Sequence, residues 1–408
     1  MKILHFAVWD EKFLPLAREL YEEAFPGANE FRILPTKLYP CANLRESPGI
    51  VKVTAEYFCS DKLREESADF DVLVAHSMLP PFAAGIKHAD PGIFVVWCGW
   101  GYDYYSLMTS EFGGLFLPDT VQLAEKAQAH RRFKNRFRPA SLAKSIKQRL
   151  LSLFHEMPPP QPVKGETLES VAGRINLFSV LPTEITMLQR ALPGLKAEYR
   201  PILYYTTEDV LAKGPARMSG RDILLGNSPT PANNHIEALK MLKPLLPENS
   251  SIIAPLNYGD PDKVKFYGDS ISRFGAALFG DRFKPLRTWM PLEKYHEYLS
   301  RCGIVIMNHR RQQGLGTIST ALYKGAKVFL RPENPVYEWY LKMGVTVFST
   351  DELLSPSKET LEPLQEKIVE RNSALVGAFW SRKNAVAVIR GIEELLQPRT
   401  SRGVENEP

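Results

Sequence analysis

The stretch GIVIMNHRRQQGLGT, residues 303–317, decides how the second half of the chain folds. Residues 303–308 form a short apolar run that ends in polar and charged residues, which reads as a strand buried on both faces. Gly314 and Gly316 then supply a turn, and Thr317 opens a helix expected to run to residue 324. A strand that feeds a helix through a glycine-bearing turn is the repeating unit of a parallel sheet. Glycines there let the backbone approach a ligand, and the free N–H groups of the helix start favour an anion. Arg310 or Arg311 is placed to neutralise a diphosphate leaving group, and Thr317 adds a hydroxyl. The same Gly-x-Gly turn with a Thr cap also serves as an ordinary helix start. Neither GxGxxG nor GxxxxGK[ST] occurs here, so a nicotinamide dehydrogenase or a P-loop kinase is not supported.

The alternation repeats outward from this unit. Residues 223–226, 252–256, 326–330 and 345–349 are strand-like, with helices expected over 233–242, 262–274, 292–301 and 335–343. In the first half, residues 2–8, 71–75, 93–97 and 176–180 read as strands, with helices over 14–25 and 182–190, the second begun by Pro182 and Thr183. Helical stretches at 361–371 and 383–396 follow the last strand, one of them a candidate to cross back onto the first half. A chain of 408 residues is too long for one core. The expected fold is therefore α/β, with two Rossmann-like doubly wound domains facing across a cleft. The expected divisions are 1–215, 216–382, and a C-terminal helix with a disordered tail over 383–408.

Composition is that of a folded enzyme, with 44% hydrophobic and 24% charged residues. The net charge of +5 is small for this length and gives no reason to expect a nucleic-acid partner. Cys41, Cys59, Cys98 and Cys302 are scattered, so no disulfide, structural metal or cofactor is expected. Asp260 and Asp262 form an Asp-x-Asp pair only nominally, at a helix start. No signal peptide or membrane span is legible, which points to a cytoplasmic protein or one resting on a membrane surface. Between Arg131 and Arg149, within a segment at 130–155, basic residues alternate with Phe133, Phe137, Leu142 and Ile146, and no acid interrupts them. That pattern suits an anionic membrane surface, and it equally suits a solvated helix face.

Two further clusters carry candidate chemistry. Gly226, Asn227, Ser228, Pro229 and Thr230 follow the first strand of the second domain and lead through Asn233 to His235 at a helix start. Short polar groups and a glycine at a strand's carboxyl end can hold a phosphate or a sugar hydroxyl, and they are also ordinary turn residues. In the first domain, WCGWGYDYY (97–105) crowds Trp97, Trp100, Tyr102, Tyr104 and Tyr105 around Asp103. Aromatic faces stack on sugar rings, and a carboxylate among them can act as a base; a buried aromatic cluster capped by Asp103 is the other reading. His76 and Asp10, also near strand ends, are further candidate bases.

The runs GNSPTPANNHIEAL (226–239), RRQQGLGT (310–317), RPENPVYEW (331–339) and WCGWGYDYY (97–105) resemble the bacterial 4-alpha-L-fucosyltransferase family, glycosyltransferase family 56. Its best-known members are TDP-4-acetamido-4,6-dideoxygalactose:lipid II transferases. The resemblance is nearly continuous from about residue 222 to 352 and patchier before that. It implies a GT-B glycosyltransferase with a TDP-sugar donor and a polyprenyl-diphosphate-linked glycan acceptor, working peripherally on the inner face of the cell membrane in surface polysaccharide synthesis. Carried over by matching motif, the donor side comprises Gly226, Asn227, Ser228, Asn233, His235, Arg311, Gln312, Gln313, Gly314, Gly316, Thr317, Glu333 and Asn334. Trp97, Trp100, Gly101, Asp103 and Tyr105 match on the acceptor side, and Glu333 takes ribose or donor-sugar hydroxyls. Residues 106–170 and the tail after 395 depart from the family pattern. A UDP- or GDP-sugar transferase and a catalytically silent nucleotide-sugar-binding scaffold are the alternatives.

Overall fold

The computed structural model describes residues 1–9, 13–36, 41, 44, 49–123, 125, 166–179, 181–257 and 261–396. The basic run, Asp10, Asp260 and the tail after 396 lie outside these residues.

Two parallel sheets organise the described chain. The first contains β1 (Ile3–Ala7), β2 (Asn29–Ile33), β3 (Ile50–Lys52), β4 (Val72–Ala75), β5 (Phe94–Cys98), β6 (Leu177–Ser179) and β7 (Glu198–Tyr199), in the order β3-β2-β1-β4-β5-β6-β7. The second contains β8 (Asp222–Leu225), β9 (Ile252–Pro255), β10 (Phe283–Leu286), β11 (Cys302–Met307), β12 (Lys327–Leu330) and β13 (Phe348–Ser349), in the order β10-β9-β8-β11-β12-β13. In each, the order reverses beside the first strand, between β1 and β4 and between β8 and β11. Loops leave those neighbours in opposite directions, opening a crevice at the carboxyl ends.

The central strands are apolar because helices cover both faces; every residue of β1, β4, β8, β9, β11 and β12 is buried. Pro80, Pro182 and Pro335 each stand in the first turn of the helix after a strand, where the missing N–H costs nothing. The helix after β11 begins at Leu315, two residues before Thr317, with Gly314 as its cap. The helix expected over 361–371 runs instead from Glu366 to Phe379.

The last helix, Arg382–Arg390, returns to the first domain and packs on the helix Leu14–Ala24. Ala385, Val386 and Ile389 form its buried face. At the rim, Arg382 Nε reaches Glu23 Oε2 at 2.6 Å and Arg390 Nη2 donates to the Glu23 carbonyl at 3.0 Å.

A second crossing runs the other way. The connection that leaves β5 docks on the second domain before residues 166–171 rejoin the first. Leu117 N donates to Asn234 Oδ1 at 2.8 Å, and Asn234 Nδ2 donates to the Leu115 carbonyl at 3.3 Å. Thr120 gives both its N–H and its hydroxyl to Glu237, at 2.8 and 2.7 Å, and Leu123 packs against the second-domain core.

Candidate active site

The loops after β8, β11 and β12 meet at the reversal point of the second sheet. Gly226 has φ +69°, a conformation L side chains rarely adopt, and a Cβ there would lie 2.5 Å from Asn233 Oδ1 and 2.6 Å from His235 Nε2. Only glycine brings the β8 turn this close to the side chains behind it. Asn233 Oδ1 accepts from Asn227 N at 3.0 Å and pairs with His309 Nε2 at 2.8 Å, while its Nδ2 donates to the Ser228 carbonyl at 2.9 Å and to Thr230 Oγ1 at 2.9 Å. Gln313 joins this loop to the next, its Nε2 lying 3.0 Å from Asn227 Oδ1 and 2.9 Å from Thr230 Oγ1. Gly314, at φ +67°, rests against the Asn227 side chain, where a Cβ would meet it at 3.0 Å.

The third loop is tied in by Asn334. Its Nδ2 donates to the carbonyls of Arg311 and His309 at 2.9 and 3.1 Å, and its Oδ1 caps the following helix by accepting from Val336 N at 3.0 Å. Arg331 grips Glu333 with two bonds of 2.7 and 3.1 Å, and Arg310 Nε lies 3.8 Å from the same carboxylate. Burial works to raise the Glu333 pKa, but the Arg331 bonds, its own backbone N–H and the Arg331 and Arg310 charges together outweigh it, and the carboxyl sits below its ordinary value. Hydrogen bonds thus join the loops after β8, β11 and β12 to one another.

Positive charge outnumbers negative in the cluster, where Arg310, Arg311 and Arg331 stand against Glu333. Burial lowers the His235 pKa to about 3, and burial followed by the Arg311 charge takes His309 well below its ordinary value. Both rings are neutral at neutral pH, so the positive charge comes from the arginines: Arg310 Nη1 donates to the carbonyls of Gly113 and Gly114 at 3.0 and 3.1 Å, and Arg311 lies over the Tyr105 ring. Helix N–H groups with guanidinium groups nearby form the kind of environment that attracts an anion.

The first-domain candidates fare differently. Asp103 is buried and its oxygens accept from Met78 N at 2.9 Å, Trp97 Nε1 at 3.0 Å and Trp100 N at 2.9 Å. A carboxylate so occupied is a loop cap, and the general-base reading of Asp103 gives way to that role. His76 is also no base at the surface. It is buried between His5 Nδ1, at 3.0 Å from its Nε2, and the Tyr204 hydroxyl on its other nitrogen, and burial keeps it neutral. Trp97 lies wholly in the core, edge-on to Tyr104 and Phe178, and offers no face to an acceptor. Trp100 is half-buried against Phe13 and Tyr204, and Tyr105 points across the cleft to Gln312. Asp10 lies outside the described residues.

Two groups escaped the sequence reading. Asn234 fastens the crossing loop and adopts φ 47°. Glu184, fully buried in the first turn of Pro182–Ala191, accepts from Tyr104 and Tyr105. Its signal was periodicity: Glu184 and Leu188, four apart, are the buried residues of that helix.

Two doubly wound domains, bridged in both directions, with three loops bonded together at the carboxyl ends of the second sheet, have the GT-B architecture, and the chain is a glycosyltransferase of that class. Anabaena HepE, solved with UDP and glucose, aligns with a TM-score of 0.57 at 13% identity, covering 97% of this chain and 99% of HepE. Sucrose-phosphate synthase from Thermosynechococcus elongatus aligns at 0.54 and 11%, over 97% and 98% of the two chains. WaaG, a glycosyltransferase involved in lipopolysaccharide biosynthesis, aligns at 0.50 and 9%, over 97% and 100%. At such identities the likeness establishes the fold. Residues 195–382 match the model of the 4-alpha-L-fucosyltransferase family, glycosyl transferase group 56, which is the family the motifs resemble.

Proposed function

We propose that the chain transfers an N-acetylated deoxyamino sugar, of the 4-acetamido-4,6-dideoxygalactose type, from a TDP-sugar to a polyprenyl-diphosphate-linked oligosaccharide of a bacterial surface polysaccharide. The observation that carries the donor half is the joining of the Gly226–His235, Arg310–Thr317 and Glu333–Asn334 loops by hydrogen bonds. When the sugar leaves its diphosphate, the bond's electrons go to the phosphate oxygen. Arg311 and the N–H groups of the Leu315–Tyr323 helix meet that charge. Glu333, oriented by Arg331, takes hydroxyls of the ribose or the sugar. Trp100 and Tyr105 face the acceptor side, and Asp10 is the carboxylate we assign to the acceptor's proton.

The lipid-linked acceptor places the enzyme on the inner face of the membrane, with the basic run Arg131–Arg149 as its contact. No helix among the described residues is long and apolar enough to cross a membrane. A UDP-sugar donor is the second reading, favoured by the capture of HepE with UDP-glucose.

Calorimetric titration with TDP, UDP and GDP, alongside Arg311→Ala and Glu333→Ala, tests the donor site. Preference for TDP that weakens in both variants supports the reading, preference for UDP moves it to the second, and failure to bind any of the three removes it.

A further inference from the structure

Glu184 is a carboxylate buried in the first domain that no part of the transfer scheme uses. Burying a charge costs several kcal/mol unless it is well paired. Tyr104 donates to its Oε2 at 2.8 Å and Tyr105 donates to its Oε1. A carboxylate only accepts, so each tyrosine spends its single hydrogen on Glu184. The Tyr105 oxygen therefore keeps a lone pair for another donor, and that donor comes from the other domain: the Gln312 backbone N–H, at 2.7 Å. The Arg311 guanidinium lies over the same ring, 5.6 Å from its centroid. One residue earlier on the helix, Thr183 Oγ1 donates to the Pro335 carbonyl at 3.0 Å, so this first turn meets the second domain directly through Thr183 and by way of Tyr105 through Glu184.

We propose that Glu184 is a positioning residue: by orienting the Tyr105 hydroxyl it holds the Gln312 N–H, and with it the 310–314 loop, against the first domain when the two halves are closed. The part this plays in transfer rests on the donor reading given above; the contact itself does not. A glutamine at position 184 fits the same space, but its amide can donate to Tyr105 and compete with Gln312 for the oxygen. A phenylalanine at 105 removes the oxygen and keeps the ring beneath Arg311.

The test is residue-resolved amide hydrogen exchange on the ligand-free, full-length protein at one fixed pH above about 8, where Glu184 is ionised, comparing wild type, Glu184→Gln, Tyr105→Phe and the double variant. The expected result is roughly tenfold faster exchange at Gln312 in Tyr105→Phe, a smaller rise in Glu184→Gln, and no further gain in the double variant, as a shared path requires. Ile318, whose N–H bonds to the Gly314 carbonyl within the second domain at 3.0 Å, should stay unchanged. Unchanged exchange at Gln312, or equal acceleration at Gln312 and Ile318, overturns the proposal, the latter because it signals general loosening. The same four proteins are then titrated with TDP, UDP and GDP. Affinity several-fold weaker in Glu184→Gln and Tyr105→Phe than in wild type extends the contact to donor binding. A wild type that binds none of the three refutes the donor reading and the role in transfer together, while the exchange data still decide the contact.

Discussion

His309 Nε2 and Asn233 Oδ1 are held 2.8 Å apart in a site from which water is excluded, so the ring that orients the β8 loop must stay neutral. His5, His76 and His235 are buried and neutral in the same way. A depressed native pKa means that the unfolded chain takes up protons first, below about pH 6.5. Stability is therefore full above that pH and is lost as pH falls, by up to ~5 kcal/mol per pH unit if all four rings contribute. Urea unfolding at pH 7 and pH 5 should show a sharply lower midpoint at pH 5, and an unchanged midpoint would contradict the neutral-ring assignment.

Glu184 carries the opposite sign. Burial, set against the bonds from Tyr105 and Tyr104 and the Arg311 charge, raises its pKa from 4.5 to about 7, with Asp103 adding to the rise. Tyr199 also faces it. Its contribution is present below the unfolded value and is lost as pH rises through 7, by at most ~3 kcal/mol. Glu184→Gln should flatten that decline, so the stability of wild type relative to the variant falls between pH 5 and pH 8.

Asp103→Asn separates a cap from a base. Asparagine offers one acceptor oxygen where three N–H groups now converge, so a loss of about 1–3 kcal/mol in unfolding free energy is expected. Nucleotide affinity of the folded fraction should be unchanged. A stable variant that has lost only turnover would return Asp103 to chemistry.

Gly314→Ala places a Cβ 3.0 Å from the Asn227 side chain at a backbone angle only glycine favours. A loss of ~1–2 kcal/mol in stability and markedly weaker nucleotide diphosphate binding should follow. Calorimetry on the purified variant decides whether the loop geometry matters as described.

The central strands were legible because β1, β4, β8, β9, β11 and β12 are buried on both faces and read as plain apolar runs. The strands that escaped have reasons of their own. β3 and β7 are edge strands of three and two residues, and β10 is an edge strand carrying Pro285. β2 is central but holds Arg32, which is buried only because Glu30, Glu66 and Tyr57 surround it. The second-domain loops were found because local chemistry, glycine turns and short polar caps, marks strand-to-helix junctions. Asp103, His76 and Trp97 were misplaced because a Trp, a His or an Asp looks the same in sequence whether its partners are a ligand or the protein's own groups. Only the fold shows that Trp97, Met78 and Trp100 already occupy Asp103.

The connection leaving β5 is sewn to the second domain through Asn234 and Glu237, and the chain is back on the first domain by Glu166, which pairs with Lys87. Leu123 and Glu166, near the two described ends of this connection, therefore belong to different halves of the molecule. If the halves part, the distance between those two points changes with the opening of the cleft. A label near each would therefore report the opening as a change in separation, which a loop rooted in a single domain could not do.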